Sequence, residues 1–187
     1  MQLKQQIQPH FLFNSLSTLK SLITFSPELA SEYLVRLSGF LRAAIAAQSV
    51  NLVRVERELD LCVDYLEMQR IRFGDALQFM VEVPAWVRSD RYIPVFSLQL
   101  LVENAIKHNV LTVEQPLRIS IDYSEGVITV RNNLQKKADV EPSAGTGLAN
   151  LRERYKALPG GHGIDILQDV DHFSVGLKIF LHDSGDH

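Results

Sequence analysis

Three short strings in this sequence carry side chains suited to handling a phosphate. His10 follows Pro9 and stands four residues before Asn14. Neutral imidazole is a good nucleophile, and an unperturbed histidine is mostly neutral near pH 7. Glu103, Asn104, Lys107 and His108 share the string Glu-Asn-Ala-Ile-Lys-His. An asparagine oxygen is a hard ligand suited to Mg²⁺, which keeps several waters and binds substrate phosphates. A lysine one turn further along can meet the phosphate charge directly. Gly145-Thr146-Gly147-Leu148 ends a polar stretch and opens a helical pattern. Glycines let backbone approach a phosphate, and the N–H groups of a helix start point at it. No Lys-Ser/Thr pair follows, so this is not a Walker A loop.

Composition narrows the class of molecule. The 187 residues, 46% hydrophobic and 22% charged, suit one or two small globular domains. A net charge of −3 gives no basic footprint for nucleic acid. Cys62 is the only cysteine, which excludes an intramolecular disulfide and a Cys-rich metal site. Between Leu61 and Val63 it reads as a small core residue. No run approaches the roughly 18 apolar residues of a membrane span. Met1–Gln8 lacks the apolar region of a signal peptide, and the chain enters a helical pattern without a cap. It therefore reads as part of a longer protein.

Those strings must sit on a frame. Residues 3–24 read as an amphipathic helix whose Leu12, Leu16, Leu19 and Ile23 form a coiled-coil-like seam. Ser26-Pro27-Glu28 breaks it and starts a second helix carrying Leu29, Tyr33, Leu34, Leu37, Leu41, Ala44 and Ile45. Such a hairpin buries little alone, so pairing into a four-helix bundle is expected. A helix over 55–72, stopped near Gly74, follows a break at 48–51. Strands are expected over 77–83, 117–123, 127–131, 164–168 and 173–181, with helices over 94–109 and 147–158. Glu125-Gly126 hinges a hairpin, and 133–146 reads as a loop. Helices set against a mostly antiparallel sheet make an α+β fold. The expected division is a helical hairpin at 1–50 and an α/β sandwich at 51–187.

At about 100° per residue, His10 shares a helix stripe with Gln6, Asn14, Ser17 and Ser21, opposite the leucine seam. It is expected to project from the accessible polar side. Pro9 is expected to bend the helix and free the Gln5 carbonyl. On the helix around Asn104, Leu98, Leu101, Val102 and Ala105 form the expected buried face. Glu103, Asn104 and Lys107 project from the other side, with His108 at the margin.

Essentially the whole chain resembles the LytS-type sensor histidine kinases, whose ATP domain has the Bergerat fold shared with gyrase and Hsp90. Gln8-Pro9-His10-Phe11-Leu12-Phe13-Asn14-Ser15-Leu16 looks like their phosphoacceptor signature. Leu101 to Asn109 looks like the N box, and Gly145 to Leu151 like the G2 box. Arg72-Phe73-Gly74 also recurs in the family, with no role attached. The resemblance implies ATP as phosphate donor, His10 as acceptor and Asn104 as the Mg²⁺-holding residue. Lys107 and His108 would line the phosphates, and Gly145, Thr146, Gly147 and Leu148 would wrap the triphosphate beneath a lid at 133–146. It further implies a homodimer, transfer to the receiver domain of a response regulator, and a cytoplasmic portion of a bacterial inner-membrane protein. Membrane contact would come only through segments outside this chain.

The departures from that pattern matter. The family usually has Asp-x-Gly-x-Gly, or at least Asp-Asn-Gly, after a hairpin strand, and the aspartate accepts from the adenine amino group. Here Asn132 and Leu134 stand in that region. A neutral acceptor is weaker than a charged one, so weak or altered nucleotide binding is expected. Phe11 stands where many histidine kinases carry an acid, which leaves the proton acceptor open. Leu100 stands where water-using ATPases of this fold place a glutamate base, which favours transfer to His10 over hydrolysis. The alternative reading is a catalytically weak pseudokinase that acts as a dimeric binding scaffold.

Overall fold

Proline has no N–H and fits the first position of a helix, so Pro27 starts a new helix rather than continuing the old one. The computed structural model describes residues 9–46, 51–137, 146–158 and 163–181. In it α1 (Pro9–Phe25) and α2 (Pro27–Ala46) meet at Ser26. The rings of Phe11 and Phe40 lie 5.0 Å apart at the far end, so the two helices run antiparallel as a hairpin. Gln5 and the expected bend before Pro9 lie outside the described residues.

The face of α1 that packs inward differs from the expected seam. Phe11, Leu19 and Leu22 pack against the core, and Ser15 is buried with them. Leu16 and Ile23 are 50% and 60% exposed, and Phe13 is exposed beside them. On α2, Tyr33, Leu37, Phe40 and Ala44 face inward, while Leu29, Leu34 and Ile45 face out. Both helices are apolar on two sides, and sequence spacing alone does not say which side this chain covers.

Strand β1 (Leu52–Arg54) leads into α3 (Val55–Phe73). That helix ends where Gly74 takes a φ of +56°, a conformation that side-chain-bearing residues resist. Then come β2 (Leu77–Glu82), α4 (Ala85–Asp90), β3 (Tyr92–Pro94) and α5 (Ser97–His108). The second half holds β4 (Leu117–Ser124), β5 (Val127–Asn133), α6 (Thr146–Lys156), β6 (Ile164–Gln168) and β7 (His172–Lys178). Five strands form one sheet in the order β2-β4-β5-β7-β6. Only β2 and β4 pair in parallel, because α4, β3 and α5 cross between them. Strands β4 and β5 turn at Glu125 and Gly126, both with positive φ, as a right-twisted two-residue hairpin requires. Ile119, Ile121, Ile128 and Val130 alternate onto the buried face and join one continuous core with α3 and α5. The α+β class is as expected. Strands β1 and β3 and helix α4 were not legible; the first two are three residues long and the third is six.

A buried carboxylate fixes the start of α5. Glu58 on α3, 1% exposed, accepts from the Phe96 N–H at 2.6 Å and the Leu98 N–H at 3.1 Å. These are among the N-terminal donors a helix cannot satisfy itself. Phe96 has a φ of +60°, unusual for an aromatic residue, and the Glu58 bond holds it there. Arg154 of α6 donates to the neighbouring Val95 carbonyl at 2.5 Å and lends its charge to Glu58. Burial nevertheless pushes the Glu58 carboxyl up from 4.5 to about 7. The folded state thus holds this proton more tightly than the unfolded chain. Stability from this group is full below 4.5 and is lost as pH rises through about 7, by roughly 3 kcal/mol. Glu58→Gln is expected to flatten that dependence. Urea unfolding of both proteins at about pH 5 and about pH 8 checks it. A difference between them that stays constant with pH would contradict it.

Candidate active site

Helix α5 presents two faces. Leu98, Leu101, Val102 and Ala105 are buried, as expected. Glu103 and Asn104 are half-buried and Lys107 is exposed. Their side faces a cavity of about 630 Å³ lined on the other side by α1 and α2. Asn14 and Thr18 of α1 line it opposite Glu103, Asn104 and Lys107. Aromatic side chains of Phe11, Phe40 and Tyr65 cluster at 5.0–6.0 Å and wall off one side. A cavity of this size, apolar in part with a few convergent polar groups, is the usual form of a small-molecule site.

The stripe shared by His10 and Asn14 therefore needs one revision. Asn14 turns toward α5 rather than away from the protein, while Ser17 and Ser21 are exposed as expected. His10 lies one turn before Asn14 on the same helix. Its side chain, residues 1–8 with Gln6, and Gly145 lie outside the described residues.

The polar groups of the wall are arranged as follows. Gln99 Nε2 donates to the Glu103 carboxylate at 2.8 Å. Gln99 Oε1 is buried and has no hydrogen-bond partner among the described residues. An orphaned acceptor is costly inside a protein and points to a donor beyond the described residues. Burial raises the Glu103 carboxyl, against the Gln99 bond and the Lys107 charge. Burial and the charges of Lys107 and Lys137 hold His108 below its ordinary value, which favours neutral imidazole. His108 is not among the described residues lining the cavity. Among the described residues no group of three His, Cys, Asp or Glu side chains converges to hold a metal. A magnesium ion carried on substrate phosphates needs only one or two protein oxygens, and the Asn104 amide fits that role.

The segment after β5 is docked on the C-terminal end of α5. Asn109, 2% exposed, donates to the Ala105 carbonyl at 2.8 Å and accepts from the Gln135 N–H at 2.7 Å. Lys137 Nζ donates to the Lys107 carbonyl at 2.9 Å, satisfying an unpaired helix-end acceptor. The first residues of the expected 133–146 loop are thus anchored, and 138–145 lie outside the described residues. Nothing local in the sequence marks Asn109 as this anchor.

The remaining expected residues sit apart from the cavity lining. Asn132 is buried on the helix-facing side of β5, in step with Ile128 and Val130. Its Nδ2 donates to the Asn133 carbonyl at 2.7 Å. Thr146 and Gly147 open α6, and Leu148 packs on the core. A side-chain carbon built on Gly147 would stand 2.9 Å from a Leu100 methyl. Glycine here therefore lets α6 approach α5 closely.

With that geometry in place, residues 1–77 match the family described as histidine kinase. The chain is also 31% identical to the sensor histidine kinase/phosphatase LytS of Staphylococcus aureus strain Mu50, an alignment covering 84% of this chain. It belongs to the histidine kinase family. The LytS proteins of strains N315 and MW2 match equally well. The chain spans 30% of the length of these curated relatives. Two solved histidine kinases also match at low identity. That of Burkholderia phymatum STM815 is 10% identical with a TM-score of 0.45, covering 90% of this chain and 94% of its own. AdeS of Acinetobacter baumannii is 14% identical with a TM-score of 0.41, covering 89% and 94%. No helix among the described residues is long and apolar enough to cross a membrane.

Proposed function

We propose that this chain catalyses transfer of the terminal phosphoryl group of ATP to His10, and then to an aspartate on the receiver domain of a response regulator. The observation that carries the reading is the shared cavity. One chain brings the helix of His10, through Asn14, face to face with Asn104 and Lys107. Asn104 would hold Mg²⁺, which when bound neutralises charge on the transferring phosphate. Lys107 meets the phosphate charge, and Asn14 orients the group on α1. Asn132, Gly145, Thr146, Gly147 and Leu148 are assigned to the nucleotide on the strength of the family motifs. With its Nδ2 spent on the Asn133 carbonyl, Asn132 would offer its Oδ1 as the acceptor for an adenine amino group. In the transfer an imidazole nitrogen forms a bond to phosphorus as the bond to the ADP oxygen breaks.

The ring must also lose a proton, and Glu103 is the only carboxylate among the described lining residues. Burial raises its carboxyl, which makes it a stronger base than an ordinary glutamate. Glu103→Gln is expected to slow transfer by about 100-fold or more. In the parent protein the rate rises with pH through the Glu103 value, which lies above that of an ordinary glutamate. A variant with the parent rate and pH profile would remove Glu103 from this role.

Residues 1–50 would serve as the dimerising phosphotransfer hairpin and 51–187 as the ATP-binding unit. The exposed Phe13, Leu16 and Ile23 of α1 support a second copy as the cover for that face. The chain would then be the cytoplasmic portion of a membrane-anchored sensor. Incubation with γ-labelled ATP and Mg²⁺ tests the activity. The expected label is stable to alkali and lost in acid, as a phosphohistidine is. No incorporation at millimolar ATP would refute the reading.

A further inference from the structure

Helix α3 ends in two arginines with different surroundings. Arg70 pairs with Glu67 at 2.6 Å and lies over the Phe79 ring. Arg72 has no ion pair with a described carboxylate; its guanidinium stands 4.8 Å from its neighbour's ring, Phe73. It lines the same cavity as Asn104, and so do Lys107 and Lys137. Three cations thus come from three separate elements: the end of α3, the last turn of α5 and the segment after β5. Glu103 is their only described counter-charge on the wall. The charge of Arg72 reaches Lys137 and adds to the burial that lowers it. Like charges gathered around one cavity repel one another unless an anion joins them.

We propose that Arg72, with Lys137, completes a polyphosphate subsite beside Asn104, and that Arg72 takes the terminal phosphoryl group. Neither residue lies in the N box or the glycine loop. Lys137 Nζ already donates to the Ile106 and Lys107 carbonyls, so it supplies mainly charge. Arg72 donates no described hydrogen bond, and its planar fork matches two phosphate oxygens at once. The assignment to the terminal phosphate rests on the ATP reading above; the anion subsite itself does not.

Calorimetric titration of the full chain with ATP, ADP and inorganic tripolyphosphate, each with Mg²⁺, tests it on the parent protein, Arg72→Gln and Arg72→Lys. Arg72 is exposed, so neither substitution disturbs the core, and the urea midpoint should not move. Arg72→Gln is expected to weaken ATP and tripolyphosphate about 10- to 100-fold while sparing ADP, with partial recovery in Arg72→Lys. Equal weakening of ATP and ADP would overturn the terminal-phosphate assignment, and no weakening of any probe would overturn the subsite. Arg72-dependent binding of tripolyphosphate without binding of ATP would uphold the subsite and refute the nucleotide reading.

Discussion

A chain carrying His10→Gln is expected to incorporate no phosphate from ATP while binding the nucleotide as the parent does. Glutamine keeps a polar side chain of similar reach in the first turn of α1, but it offers no nucleophilic nitrogen. The residues that would hold ATP sit on α3, α5, α6, β5 and the segment after β5, not on α1 beside His10, so the acceptor's identity does not enter the binding step. The two readouts therefore separate. Labelling by autoradiography should vanish, and the dissociation constant from titration should stay put. Residual label in the variant, stable to alkali, would move the acceptor to another histidine. Loss of binding together with labelling would mean that the substitution had disturbed the hairpin instead.

Asn104→Ala is expected to lower the labelling rate by about 100- to 1000-fold, the usual effect of removing one preorganised group that stabilises transition-state charge. Asn104 is half-buried on the cavity side of α5, whereas its neighbour Ala105 is in the core. Alanine also has the highest helix propensity, so α5 should not fray. The loss should therefore appear in the rate and in the Mg²⁺ dependence, with thermal unfolding within a few degrees of the parent. Asn104→Asp keeps an oxygen ligand and should retain more activity than alanine. Similar rates for parent and Asn104→Ala across a Mg²⁺ titration would show that the amide is no metal ligand.

The parts legible in the sequence are those set by local periodicity and punctuation. Helix α3, strand β6 and the β4–β5 hairpin lie where alternation, helical spacing and Gly74 or Gly126 put them. The buried face of α5 was equally clear, because four apolar residues recur on one side. The inward face of α1 was not, since apolar residues lie on two sides and Ser15, a polar residue, is buried. Glu58 was invisible for a different reason. Its partners, Phe96 and Leu98, lie 38 and 40 residues downstream, and no local pattern links them. The same holds for Arg72 and Lys137, whose charges meet only once α3 and the segment after β5 converge on α5. The N box string foretold that Glu103, Asn104 and Lys107 share a wall. It did not foretell that Asn14 would face them, because that depends on how the hairpin packs back on the sheet domain.

That juxtaposition within one chain has a direct consequence: a chain should phosphorylate its own His10. The decisive measurement uses a mixed dimer of two differently tagged chains, one His10→Gln and the other Asn104→Ala, co-expressed, purified through both tags and supplied with labelled ATP and Mg²⁺. The expected result is strong labelling of the parent dimer and only background on either chain of the mixed dimer. Robust label on the Asn104→Ala chain would contradict it, because the phosphate would then have crossed from the partner's site.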